Sequence, residues 1–120
     1  MSIIAKRFLE SWFYDVWVLS SVENMKRYYA NSVTGEFNGE ILSREELEKH
    51  CSWGKDNEKI TQFEFIDVVS DDNKIAFRIQ FKFTDRESNI KKAENIGIMH
   101  LDQEGKIRSI TVKSSEQFSR

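Results

Sequence analysis

Ile75-Ala76-Phe77-Arg78-Ile79-Gln80-Phe81-Lys82-Phe83-Thr84 places a large apolar side chain at every second position. A period of two belongs to a β-strand, whose successive side chains leave opposite faces. One face of this strand is therefore apolar, while Ala76, Arg78, Gln80, Lys82 and Thr84 form the other. Upstream, Phe63 and Phe65 alternate with Gln62 and Glu64, and Ser70-Asp71-Asp72-Asn73 has the chemistry of a hairpin turn between the two runs. Downstream, residues 95–101 read as another strand with apolar side chains on both faces. Gln103-Glu104-Gly105 then turns the chain into residues 107–113, with Gly105 suited to a positive φ. The chain after Lys59 is thus predicted to be an antiparallel meander of about four strands.

The chain before Lys59 follows a different period. Ile4, Phe8, Trp12 and Val16 recur every fourth residue beside a parallel row of Leu9, Phe13 and Trp17, which predicts a helix with a wide apolar face. Ser20 and Glu23 have capping-box spacing and open a short second helix through Val22, Met25, Tyr28 and Tyr29. Gly35 and Gly39 flank Glu36-Phe37-Asn38 in a segment, residues 31–39, suited to a short edge strand or an irregular extended stretch more than to a helix. Ser43-Arg44-Glu45-Glu46 is a second capping box. It opens a third helix that carries Leu47, His50 and Cys51 on one side and is expected to end by Gly54. With no proline in the chain, bends must come from glycine, Asx turns or bulges.

A length of 120 residues suits one domain, residues 1–120, and the nine Phe, three Trp and three Tyr supply a substantial core. The 18 basic and 20 acidic residues leave a formal charge of −2, and a pair such as Lys91-Lys92 is too little for a concentrated basic face, so a nucleic-acid partner is not expected. No apolar run reaches the roughly 18 to 20 residues that span a bilayer, and the opening Met1-Ser2-Ile3-Ile4-Ala5-Lys6-Arg7 lacks a continuous apolar stretch. The single Cys51 fits a reducing compartment, and a cytoplasmic location is expected. His50 and His100 have no His-x-x-x-His or carboxylate-flanked spacing, so no metal is expected. No glycine grouping matches a phosphate or dinucleotide loop, and no cofactor is expected.

Three patterns resemble the nuclear transport factor 2-like (SnoaL-like, ketosteroid-isomerase-like) superfamily over about residues 3–113. These are Tyr28-Tyr29-Ala30-Asn31-Ser32-Val33 at the close of the second helix, Gly39 to His50 with Ser43-Arg44-Glu45-Glu46-Leu47, and Gly105-Lys106-Ile107. The resemblance implies an α+β fold in which three N-terminal helices pack on a strongly curved, mainly antiparallel sheet, a cone-shaped α+β barrel around a pocket. It implies lining by Phe13, Trp17, Tyr29, Phe37, His50 and Met99. It also implies a homodimer through the open sheet face, using Arg78, Gln80 and His100. Set against the ketosteroid isomerases, the catalytic Tyr and two Asp fall on Phe13, Phe37 and Met99, which can neither move a proton nor hold an enolate oxygen. A one-residue slip would substitute Tyr14 and Glu36 and leave His100 nearest the third role, still an incomplete set.

The remaining catalytic candidates are His50, Asp15 and Tyr14, with Glu36 as a further acid or base. An imidazole can carry a proton near neutral pH, and a carboxylate among aromatic rings can be raised toward that range. The sequence therefore leaves two functions open. One is a pocket protein for a small, largely apolar molecule, with cofactor-independent lyase, isomerase or cyclase chemistry. The other is a non-catalytic interaction or assembly domain whose cavity is filled.

Overall fold

In the computed structural model, which describes residues 2–118, the aromatic N-terminal helix lies on one side of a six-stranded sheet. Helix α1 (Ser2–Trp12) runs directly into a π-helical segment (Phe13–Val18), followed by α2 (Val22–Tyr28). Strands β1 (Tyr29–Phe37) and β2 (Glu40–Leu42) precede α3 (Arg44–Asn57). The meander then comprises β3 (Glu58–Asp71), β4 (Lys74–Asp85), β5 (Ile90–Leu101) and β6 (Ile107–Phe118).

The strand order is β2-β1-β6-β5-β4-β3, antiparallel at every pairing except the parallel β1–β6 contact. This α+β sheet is mixed and open, with β2 and β3 as its edges, so the barrel implied by the resemblance is not closed. Register shifts in the β3–β4, β5–β6 and β1–β6 pairings mark bulges, which increase local twist and bend the sheet without proline.

Several local expectations change in detail. Instead of an edge strand at residues 31–39, β1 starts at Tyr29 and pairs on both sides, because Tyr29 and Val33 bury their side chains. Helix α2 accordingly stops at Tyr28. The cap before it is Ser21, whose Oγ accepts the Asn24 N–H at 3.1 Å; Ser20 takes φ 50 in the preceding turn, which removes it from the predicted cap. Helix α3 begins with the predicted box, Ser43 N–H donating to Glu46 Oε1 at 2.8 Å and Glu46 N–H to Ser43 Oγ at 3.2 Å. It passes Gly54 and ends at Asn57, with the Asn57 amide donating to the Trp53 carbonyl. Gly105 has φ 81 in the β5–β6 turn.

The core fills the space between the helices and the inner sheet face. Leu9, Val16, Met25, Leu47, Met99 and Ile107 are fully buried, and each such aliphatic side chain contributes roughly 1.5–3 kcal/mol by leaving water. Phe13 is the centre of an aromatic cluster, 5.1 Å from Phe63, 5.4 Å from Phe81 and 6.1 Å from Phe65 by ring centroids. Phe65 in turn meets Phe77 at 5.6 Å, and Phe77 meets Trp12 at 5.9 Å. These contacts seat the first helix on β3 and β4.

Candidate functional site

The π-helical segment positions the aromatic wall of the site. Leu19 N–H reaches back five residues to Tyr14 O and Ser21 N–H to Val16 O, each at 3.0 Å. This wider turn buries Phe13 and Val16 inward and leaves Tyr14 48% exposed. Trp17 is half-buried beside them.

A small chamber of about 120 Å³ remains between this segment and the inner sheet face. Its walls are Trp12, Phe13 and Trp17 from the helical side and Phe77, Ile79, Ile110 and Val112 from β4 and β6, with Ile60, Phe37 and Phe81 completing the apolar surface. A wider outer cleft of about 740 Å³ shares Phe37, His50, Glu58, Phe81 and Asn95 with it, so these five side chains form the neck between the two spaces. Three of them are polar. Another groove, on the sheet around Gln62, Glu64, Gln80, Lys82 and Glu94, is larger than the chamber but bordered by mostly polar side chains.

His50 stands between two stacked aromatic neighbours, Phe37 at 6.1 Å and 22° and Trp53 at 6.1 Å and 28°, with Trp17 edge-on at 5.9 Å. Crowding by these groups pushes its pKa below the usual imidazole value through desolvation of the charged form. The residue nevertheless keeps a solvent-exposed part, which screens and limits the effect. The folded-state value is depressed relative to the unfolded 6.5, so the unfolded chain binds more protons in the window below that value. Stability is expected to be full above pH 6.5 and to fall modestly as pH drops through the window. A pH series of urea unfolding checks this, and His50→Gln should flatten that part of the profile.

The structure brings together Phe13, Trp17, Phe37 and His50 of the expected lining. Tyr29 and Met99 do not line the chamber; both are fully buried elsewhere in the core. The Tyr29 hydroxyl accepts the Trp12 indole N–H at 2.9 Å; burial drives its pKa well upward, offset in part by hydrogen bonds from Trp12 and Trp17. It is held as a neutral structural partner.

The other acid–base candidates lie away from the neck. Asp15 Oδ2 accepts the Tyr28 hydroxyl at 2.5 Å and Arg27 Nη2 at 3.2 Å, and its backbone carbonyl accepts the Asn24 amide at 2.9 Å. It therefore ties the π segment to α2, and burial followed by this hydrogen bond pushes Tyr28 up to about 12. Glu36 pairs in register with Thr111, which places it in the outer-face row that includes Ile98. Arg78, Gln80 and His100 also occupy that outer face. There Arg78 bridges Asp67 at 2.8 Å and Glu94 at 3.0 Å, and Gln80 donates to the same Glu94 oxygen at 3.0 Å. Cys51 is buried with its thiol directed to the Val16 carbonyl at 3.4 Å, and burial raises its pKa to about 11.

Sequence reasoning passed over Glu58 and Asn95 at the neck. Asn95 had a readable signal: it shares the inward row of β5 with Ala93, Gly97 and Met99, a polar residue in a buried apolar series. Glu58 had less, since it lies at the helix-to-strand junction, where neither period applies. Among the described residues, no group of three His, Cys, Asp or Glu side chains is arranged to hold a metal ion. No helix among them is long and apolar enough to cross a membrane.

No protein-family model matches this chain, and no curated protein matches it. Solved structures are similar. A Mesorhizobium loti protein named a SnoaL-like polyketide cyclase superposes with a TM-score of 0.70 at 18% identity, covering 93% of this chain and 98% of its own. An LEH-like epoxide hydrolase from M. tuberculosis gives 0.75 at 9% identity, covering 95% and 84%. An NTF2-like protein of unknown function from Cytophaga hutchinsonii gives 0.67 at 10% identity, covering 96% and 99%. At such identities the likeness speaks for architecture, and function must come from the site. The three helices, the open mixed sheet and these superpositions together establish that the chain has the nuclear transport factor 2-like fold.

Proposed function

We propose that this chain binds a small, largely apolar molecule in the inner chamber and that any chemistry there is cofactor-independent proton transfer, of the lyase, isomerase or cyclase kind, with His50 as the proton carrier. The observation that carries this reading is an apolar chamber whose mouth holds three polar side chains, His50, Glu58 and Asn95. An engineered apolar cavity of about 150 Å³ in another protein takes up benzene, so the space here suits one compact ring with any remainder of the ligand in the outer cleft. An unpaired thiol at Cys51 fits a cytoplasmic setting.

A thermal-shift screen of small metabolites and aromatic compounds tests the pocket. A ligand present at 100 times its Kd should stabilise the wild type by about 2.7 kcal/mol. Val112→Phe, which fills the chamber, should abolish the shift, and His50→Ala should reduce or remove turnover of any converted ligand. Equal shifts in wild type and Val112→Phe would place binding elsewhere and sink the reading.

A second reading, an interaction or assembly module, is favoured by the outer sheet face. Val69, Ile96 and Ile98 are 65%, 56% and 47% exposed there, and Val69, Ala76 and Ile98 adjoin one another across β3, β4 and β5. Such a strip, bordered by the Arg78 ion pairs and His100, suits a second copy of the chain. Sedimentation equilibrium is expected to give a dimer for the wild type and a monomer for Ile98→Lys. A monomeric wild type at high micromolar concentration contradicts the homodimer.

A further inference from the structure

The side-chain oxygen of Asn95 is sealed from solvent and accepts no hydrogen bond from any described residue. Asn95 also lines both the chamber and the outer cleft. An amide oxygen left unpaired in a buried setting is destabilising, and an apolar side chain in the inward row of β5 would avoid that loss. Phe37, Phe81 and Ile79 beside Asn95 present carbon, and neither Ser114, its register partner on β6, nor His50 at the neck donates to that oxygen. A molecule seated at the neck can supply the missing donor.

Resting on the pocket reading above, we infer that Asn95 is the specificity-determining acceptor of the chamber, and that the ligand is a compact apolar ring bearing one O–H or N–H donor. The ring fits among Phe13, Phe77 and Val112, and its donor points back to the neck. The carboxamide meets it by turning about χ2, a broad terminal torsion with little preference to overcome. His50, with a solvent-exposed part, does not carry the same unmet demand.

Phenol and toluene form the discriminating pair of probes, matched in size and differing in the donor. The quantity measured is the ratio of their dissociation constants, by calorimetry or ligand-observed NMR, on wild type and on Asn95→Leu. Their different hydration cancels between the two proteins. The preference for phenol over toluene is expected to fall about tenfold in Asn95→Leu, the size of one net hydrogen bond, while toluene still binds. An unchanged ratio with both probes binding overturns the role of Asn95 and leaves the pocket reading intact. Failure of both probes to bind wild type overturns both. Should Asn95→Leu not fold, the wild type alone decides. Phenol should shift the Asn95 side-chain amide resonances and toluene should not; equal shifts from the two contradict the inference.

Discussion

Replacing Trp12 with alanine should cost about 3–5 kcal/mol of unfolding free energy, measured as a lower urea midpoint with an unchanged m value. Trp12 is buried to 4% exposure, packs its indole against Phe13 and Phe77 at 5.9 Å each, and donates to the Tyr29 hydroxyl. Alanine removes the ring, leaves a void the neighbouring aromatics cannot close, and deprives a buried hydroxyl of a donor. Against a total of about 5–15 kcal/mol for a domain of this class, that is a large share. Trp12→Phe separates the two contributions, because it keeps most of the apolar surface and loses the hydrogen bond. Its expected cost is about 1–3 kcal/mol. A Trp12→Ala protein as stable as wild type would mean that the helix does not seat on the sheet as described.

Gly97→Val is the second large effect. Gly97 sits on the inner sheet face directly opposite Phe77 in the β4–β5 register, and a Cβ there would lie 2.5 Å from Phe77 Cζ, with Cε2 and Cε1 at 3.0 and 3.1 Å. A ring tip can sometimes swing aside, but Trp12 and Phe65 hold this one. Overpacking of this kind costs about 3 kcal/mol, while valine's better fit to a strand returns about 1 kcal/mol, so a net loss of about 2 kcal/mol is expected. Any relief that moves Phe77 toward the chamber also narrows it. The double variant Gly97→Val/Phe77→Leu should recover much of the loss, and simple additivity of the two changes would refute the clash.

Both predictions rest on contacts of Trp12 and Phe77, whose facing was readable before the fold was known. The alternation of Phe77, Ile79, Phe81 and Phe83 with polar neighbours identified a strand with one apolar face, and that face meets the helices. The same alternation marked β3 at Phe63 and Phe65, the runs read at 95–101 and 107–113 fall within the longer β5 and β6, and the Ser43 capping box marked the start of α3. Local pattern could not reveal that β1 lies parallel to β6, because that pairing depends on contacts between Gly35 and Ile110 or Phe37 and Val112, far apart in the chain. Nor could a four-residue repeat signal the π turn at Phe13–Val18.

The site was legible in its apolar part and obscure in its polar part for the same reason. Phe13, Trp17, Phe37 and His50 follow from helix faces and from the fold resemblance. Tyr29, expected at the lining, lies in the core against Trp12, because β1 begins at that residue. Asn95 required knowing which row of a strand with two apolar faces points inward. Only the pairing of β5 with β4 and β6 decides that.

A chamber with apolar walls separates the π-helical segment from the inner face of β4 and β6. A crystal structure under xenon pressure tests it most directly, because xenon reports dry space without requiring any polar contact. An atom of xenon enclosed by Phe13, Trp17, Phe77 and Val112 is the predicted result. An unoccupied site, with Trp17 or Phe37 folded in to fill that volume, contradicts it.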